Sequence, residues 1–335
     1  MNGRSDPGTE ALGHSRATVS RLGFGAAAIG NLFDPVSEEA AAAAVDAAWN
    51  EGFRYFDTAP HYGLGLSERR LGAALAGRPR ASFTVSTKVG RLLEPLSHVQ
   101  GDDLANGFAV PATHRRIWDF SADGVRRSIE DSLLRLGMDR IDVAYLHDPD
   151  DHAEQALEEA YPALERLRAE GVVAAIGVGM NQTGLLHRFV QDTDVDVVLL
   201  AGRYTLLDHG ALDDLLPTAL ERSVAVVIGG VFNSGVLADP RPDATYAYAP
   251  VPPEILVRAM RIKDVCARHD VPLRGAALQF PFGHPAVASV LVGARSAAEV
   301  RDAARLLDRP APAGLWPDLQ ASGLLPASVP TPKGS

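Results

Sequence analysis

Four side chains able to hold or move a proton fall at related places in this sequence. Asp57 closes the apolar run 53–57, Lys88 closes 83–88 and His147 follows 141–146, while Tyr62 sits in the turn Pro60-His61-Tyr62-Gly63. The runs are short, rich in β-branched and aromatic residues, and read as strands. Side chains alternate faces along a strand, so Tyr55 shares a face with Asp57, Thr84 and Ser86 with Lys88, and Val143 and Tyr145 with His147. An acid, an amine and an imidazole can therefore converge at three strand ends. Most lysines in such positions reach solvent. A desolvated ammonium beside a tyrosine instead favours the phenolate and lowers the phenol's pKa from near 10. Asp57, Tyr62 and Lys88 thus read as one acid–base unit, with Asp57 keeping the lysine protonated. A lone histidine is more often structural, but beside that unit His147 reads as a group that orients a substrate oxygen.

Something must hold these ends together. Apolar strand-like runs begin at residues 22, 53, 83, 141, 172, 195, 224 and 287, separated by helical patterns. Ser37 reads as the N-cap of a helix over 37–51, Ser67 as the cap of the next, and a third starts near Ser121 and stops at Gly137. Eight strand–helix units over this length predict a closed (β/α)8 TIM barrel, whose chemistry sits at the C-terminal rim. The alternative is an open doubly wound sheet, which usually has fewer strands. Residues 1–18 read as a flexible leader, 19–335 as a single barrel domain, and the Pro- and Ala-rich stretch 309–335 as a tail over the barrel.

Composition narrows the function. Of 335 residues, 32 are Lys or Arg and 42 Asp or Glu, for a net charge of −10, which disfavours nucleic-acid binding. The one cysteine, Cys266, excludes an internal disulfide. No apolar run reaches the roughly 20 residues of a membrane span, and the N-terminus lacks a secretory core, so a cytoplasmic protein is expected. The run His147-Asp148-Pro149-Asp150-Asp151-His152 could suggest a metal, but sequence neighbours point apart and acids suit a helix start, so no metal is expected.

Phe56-Asp57-Thr58-Ala59-Pro60-His61-Tyr62-Gly63, Ser86-Thr87-Lys88 and Tyr145-Leu146-His147 resemble the aldo-keto reductase superfamily in order and spacing, from about residue 22 to 307. The resemblance implies a (β/α)8 barrel with Tyr62 as proton donor or acceptor, Lys88 lowering its pKa, Asp57 pairing with Lys88 and His147 positioning the carbonyl or hydroxyl. It also implies hydride transfer between a nicotinamide and substrate without a metal. Further segments, among them Phe232-Asn233-Ser234-Gly235 and Leu315-Trp316, resemble the branch containing D-threo-aldose (L-fucose) 1-dehydrogenases and pyridoxal 4-dehydrogenases. There Tyr62 takes a proton from a sugar's anomeric hydroxyl and the product is a lactone.

For the cofactor, the resemblance assigns Asn181, after strand five, to the nicotinamide amide; the other reading of Asn181 is a helix N-cap. Ala201 and Gly229-Gly230 depart from the glutamine and stacking tyrosine of many members, and Phe232 or Arg203 can compensate. The phosphates are expected at Gly293, Arg295 and Ser296, where strand eight meets its helix. Glu299 would repel a 2′-phosphate and accept from a free ribose diol, which favours NAD. Ser296 and Glu299 also fit a capping box, and Arg295 leaves NADP open.

The insertion 90–119 follows strand three and carries Arg91, His114, Arg115, Arg116 and Trp118. It reads either as a wall over a polar substrate, with Trp118 and His61 as contacts, or as a solvated loop. The expected function is an NAD(P)-dependent aldose 1-dehydrogenase, acting on a small molecule as a monomer or small homo-oligomer. Its alternatives are an NADPH-dependent aldehyde or ketone reductase, a pyridoxal 4-dehydrogenase, and a cofactor-binding regulatory subunit.

Overall fold

A computed structural model describes residues 9–99, 101–247 and 249–334. Eight parallel strands close a barrel in sequence order: Leu22–Gly25 (β1), Tyr55–Asp57 (β2), Thr84–Val89 (β3), Val143–His147 (β4), Ala175–Met180 (β5), Val197–Ala201 (β6), Ala225–Gly229 (β7) and Val287–Gly293 (β8). Most strands start one to three residues later than their apolar runs. At two of these starts a carboxylate replaces a ladder partner: Asp142 accepts from the Val85 N–H at 2.7 Å and Asp196 from the Ile176 N–H at 2.9 Å.

The helices around the barrel are Glu38–Asn50 (α1), Leu66–Leu75 (α2), Ala122–Leu136 (α3), Tyr161–Ala169 (α4), Thr183–Asp192 (α5), Leu215–Glu221 (α6), Pro253–Arg268 (α7), Leu273–Gln279 (α8), Ala297–Leu307 (α9) and Leu315–Ala321 (α10). Ser37 and Ser121 cap α1 and α3 through their side chains, and Gly137 ends α3 in the left-handed conformation. Ser67 does not cap α2, which begins at Leu66. Its buried hydroxyl instead donates to the Ala26 carbonyl at 2.8 Å and meets Thr58 at 2.8 Å, tying α2 to the rim of β1 and β2.

Outward strand side chains pack against the helices in one continuous apolar layer, while Tyr55, Val143, Tyr145, Val197 and Val227 fill the interior. Three further interior residues are Leu12 and Ala17, from the expected leader, and Val19, which follows it. Thr9–Ala11 pairs antiparallel with Thr18–Ser20, and this hairpin and its connection place Leu12, Ala17 and Val19 in the barrel core. The expectation of a flexible leader is therefore corrected for residues 9–18, because the barrel interior offers those side chains burial; residues 1–8 lie outside the described residues. The insertion is not irregular either. Arg91–Pro95 pairs with His114–Trp118 and Asp102–Asp103 with Phe108–Pro111, a ribbon bridged to the β1–α1 connection at Leu32 and Phe108. The tail carries α10, whose Trp316 is buried against Phe280. Among the described residues no helix is long and apolar enough to cross a membrane.

Candidate active site

Strand parity places the polar groups. Asp57 and Ser86 are register neighbours on β2 and β3, and Tyr145 and Lys88 on β4 and β3. Lys88 Nζ donates to Asp57 Oδ2 at 2.7 Å and to the Thr58 carbonyl at 2.9 Å, with both charged side chains almost wholly buried. Burial alone would pull the Lys88 pKa down. The Asp57 carboxylate and a hydrogen bond with Tyr62 outweigh it, so the pKa is raised and the lysine stays an ammonium. Its Nζ lies 4.7 Å from the centroid of the Tyr62 ring. Tyr62 is held over it by a turn that closes on Gly63 (φ +61), where a Cβ would lie 2.2 Å from the Gly30 carbonyl oxygen.

His147 ends β4 and meets Tyr62 edge-on, ring centroids 5.8 Å apart. Burial, then the nearby Arg91 and Lys88 cations, hold its pKa well below the ordinary value, so it is a neutral imidazole. His61 stands 5.7 Å from it and is pushed down to about 2 by burial, then by Arg91, Arg116 and Lys88. Arg116 Nε donates to His61 Nδ1 at 2.6 Å, which leaves the His61 proton on Nε2. Asp103 fixes Arg116 with two bonds of 2.8 and 2.6 Å. The arrangement thus joins a phenol, a fixed ammonium and two neutral imidazoles, which suits proton exchange with an alcohol or carbonyl oxygen.

Of the two expected substrate contacts, His61 joins this cluster. Trp118 stands one layer away. Arg91 bonds Asp148, the residue after His147, and lays its guanidinium over the Trp118 ring at 4.3 Å. The indole is 44% exposed and flanked by Phe120 and His152, so it presents a ring face at the rim without lining the cavity that contains Tyr62.

That cavity, about 730 Å³, runs from Asp57 and Tyr62 past Asn181 and across the ends of β6, β7 and β8 to Glu299. Asn181, Gly293, Arg295 and Glu299 line it, as do Phe232 and Arg203; Ser296 does not. Ser296 accepts the Glu299 N–H at 3.3 Å and caps α9, while Glu299 Oε2 accepts the Arg295 N–H at 2.8 Å. Glu299 therefore caps and faces the cavity at once. Asn181 is not a cap, since Gln182 holds that place on α5; its Nδ2 donates to the Ala201 carbonyl at 3.0 Å.

A dinucleotide suits this trench. Its volume lies within the roughly 300–1,000 Å³ of ligand sites. Gly25, Gly229, Gly230 and Gly293 leave bare backbone along it, and Arg203, Arg274 and Arg295 supply cations. Asn233, also in the lining, is buried with an Oδ1 that accepts no hydrogen bond, a ready acceptor for a ligand hydroxyl or amide. Sequence reasoning met Asn233 and Ser234 only inside the segment 232–235 of the branch resemblance and gave them no role in the site. Both adopt left-handed backbone (φ 46 and 60) before Gly235 (φ 122), and Asn-Ser-Gly was the available signal. Among the described residues no group of three His, Cys, Asp or Glu side chains is placed to hold a metal.

Comparison with known proteins agrees with this geometry. The profile of the aldo/keto reductase family matches residues 21–321. The chain is 47% identical over 327 residues to a D-threo-aldose 1-dehydrogenase from a Pseudomonas species, covering 96% of this chain and 98% of that protein. It is 40% identical over 334 residues to a pyridoxal 4-dehydrogenase from Microbacterium luteolum, covering 94% and 97%. Among solved structures, aldo-keto reductase AKR11C1 from Bacillus halodurans in its holo form superposes with a TM-score of 0.75 at 26% identity, covering 96% and 97%.

Proposed function

Because the chain belongs to the aldo/keto reductase family, we propose that this NAD(P)-dependent oxidoreductase is an aldose 1-dehydrogenase that turns a cyclic sugar into its lactone. Asp57, Tyr62, Lys88 and His147 are the residues that perform the step. A bound nicotinamide supplies the acceptor for the hydride leaving C1. Tyr62 Oη takes the proton of the anomeric hydroxyl. Lys88 makes that possible by holding a positive charge beside the phenolate, and Asp57 keeps Lys88 charged and aimed. His147, neutral, orients the sugar oxygen by a hydrogen bond without adding a second cation. His61, with its proton on Nε2, offers a further donor to the substrate, and the Trp118 face offers a stacking surface at the rim.

Asn181 is assigned to the nicotinamide amide, and Gly293 and Arg295, with the capped start of α9, to the phosphates. NAD is the preferred cofactor. Glu299 faces the trench as an anion, and the cations that line it are already matched: Arg295 by Asp34, Arg274 by Asp302 and Arg203 by Asp208. A 2′-phosphate would have to displace one of these carboxylates.

The observation that carries the reading is the buried Lys88–Asp57 pair beside Tyr62 at the mouth of a dinucleotide-sized trench. Dehydrogenation is favoured because two relatives that align over 94% or more of this chain, at 47% and 40% identity, are named dehydrogenases. The test is absorbance of the reduced nicotinamide with a panel of aldoses, pyridoxal and simple aldehydes, in both directions with both cofactors. Reduction of NAD by an aldose is expected. Turnover confined to NADPH and aldehydes would assign a reductase, and tight NAD binding without turnover a regulatory subunit.

A further inference from the structure

We propose that Ser86 is a positioning residue, which fixes the Asp57 carboxylate through a column of hydroxyls inside the barrel and so keeps Lys88 directed at Tyr62. The inference rests on the acid–base reading above and goes beyond it, since it concerns what holds Asp57.

The two oxygens of Asp57 have different partners. Oδ2 receives Lys88 at 2.7 Å, and Oδ1 receives the Ser86 hydroxyl at 2.7 Å. Ser86 Oγ also lies 3.1 Å from Tyr55 Oη, which lies 3.0 Å from Tyr145 Oη. Each of these three hydroxyl-bearing residues is 0% exposed. Burial raises the pKa of both tyrosines above the ordinary phenol value, so they remain neutral hydroxyls. The column thus spans β2, β3 and β4 directly beneath the ion pair, built from inward positions of adjacent strands.

Ser86 has a single proton, and the carboxylate is the stronger acceptor. That bond sets the plane of the Asp57 carboxylate and leaves only Oδ2 for the ammonium. Without it, Oδ1 becomes a buried anionic oxygen with no donor. Lys88, already bonded to Oδ2, is the cation beside it, and the ammonium is drawn further onto the carboxylate and away from Tyr62. The phenolate loses support and its pKa rises. The other groups around Tyr62 stay as they were: neutral His147 and His61, the cations Arg91 and Arg116, and the carboxylates Asp103 and Asp148 that hold those cations.

The experiment compares Ser86→Ala and Ser86→Thr with the parent in the oxidation direction across pH, with thermal unfolding of each. Ser86→Ala is expected to lower kcat on the order of tenfold and to move the limb governed by Tyr62 about one unit to higher pH, with the cofactor KM unchanged. Ser86→Thr, which retains a hydroxyl, returns the limb towards the parent. A limb unmoved in Ser86→Ala, or a threonine variant as shifted as the alanine one, overturns the proposal, because a merely structural role lowers activity without moving it. Should Ser86→Ala not fold, Tyr55→Phe carries the test: it shifts the limb the same way by less, and an unmoved limb overturns the proposal. Failure of the functional reading is separate, since it shows as a Tyr62→Phe variant with parental turnover.

Discussion

His61 accepts a hydrogen bond from Arg116, which ties the turn after β2 to the ribbon inserted after β3 and locks a neutral imidazole beside Tyr62. Two segments far apart in sequence thereby build one wall of the site. Asp103 anchors the arginine from the other strand pair of the same insertion, so the wall is held by an ion pair as well as by backbone pairing.

That neutral imidazole makes the fold sensitive to acid. The His61 pKa falls from 6.5 to about 2 on folding, so the unfolded chain binds a proton below pH 6.5 that the native site refuses. Stability is therefore present above that value and lost as pH falls. Between pH 7 and pH 5 this one group removes about 2 kcal/mol. Urea unfolding at both pH values should show the parent losing that much more than His61→Gln; equal losses would contradict the assignment.

Lys88→Met should abolish nearly all turnover, on the order of 10²–10⁴-fold, and destabilise the fold by about 3–5 kcal/mol because Asp57 is left buried without its counter-ion. Adding Asp57→Asn to that variant should recover much of the stability and none of the activity. A double variant as unstable as the single one would show that the pair's charge is not what the interior resists.

Glu299→Arg should raise the use of NADP relative to NAD at least tenfold, by replacing repulsion of a 2′-phosphate with attraction. The same substitution removes an acceptor of the Arg295 N–H, so Glu299→Ala, which removes it too, serves as the comparison. The alanine variant should match the arginine one in melting temperature loss but not in the NADP-to-NAD ratio. Equal ratios would assign Glu299 to capping alone.

Leu12→Ala should cost about 2–5 kcal/mol, the range for a leucine removed from a packed core. Leu12 is fully buried among Ala17, Val19 and the barrel interior. A change within experimental error in chemical unfolding would mean that the hairpin is not part of the cooperative core.

The sequence by itself determined the eight strand–helix units and which residues stand at the strand ends, because alternation along a strand is a local property that short apolar runs record. It also determined that Asp57, Lys88 and His147 share inward positions, and that Ser37, Ser121 and Gly137 bound their helices. What only the tertiary structure decided depends on contacts between distant segments. Leu12, Ala17 and Val19 sit in a polar stretch, and nothing local indicates that a barrel core will bury them. Arg116 meets His61, and Ser86 meets Asp57 and Tyr55, across strand and ribbon neighbours whose register is set only when the barrel closes. Ser67 would suit a helix cap by sequence, yet the packed rim uses its hydroxyl elsewhere. The strained backbone at Asn233 and Ser234 likewise exists only because the surrounding fold holds it along the trench.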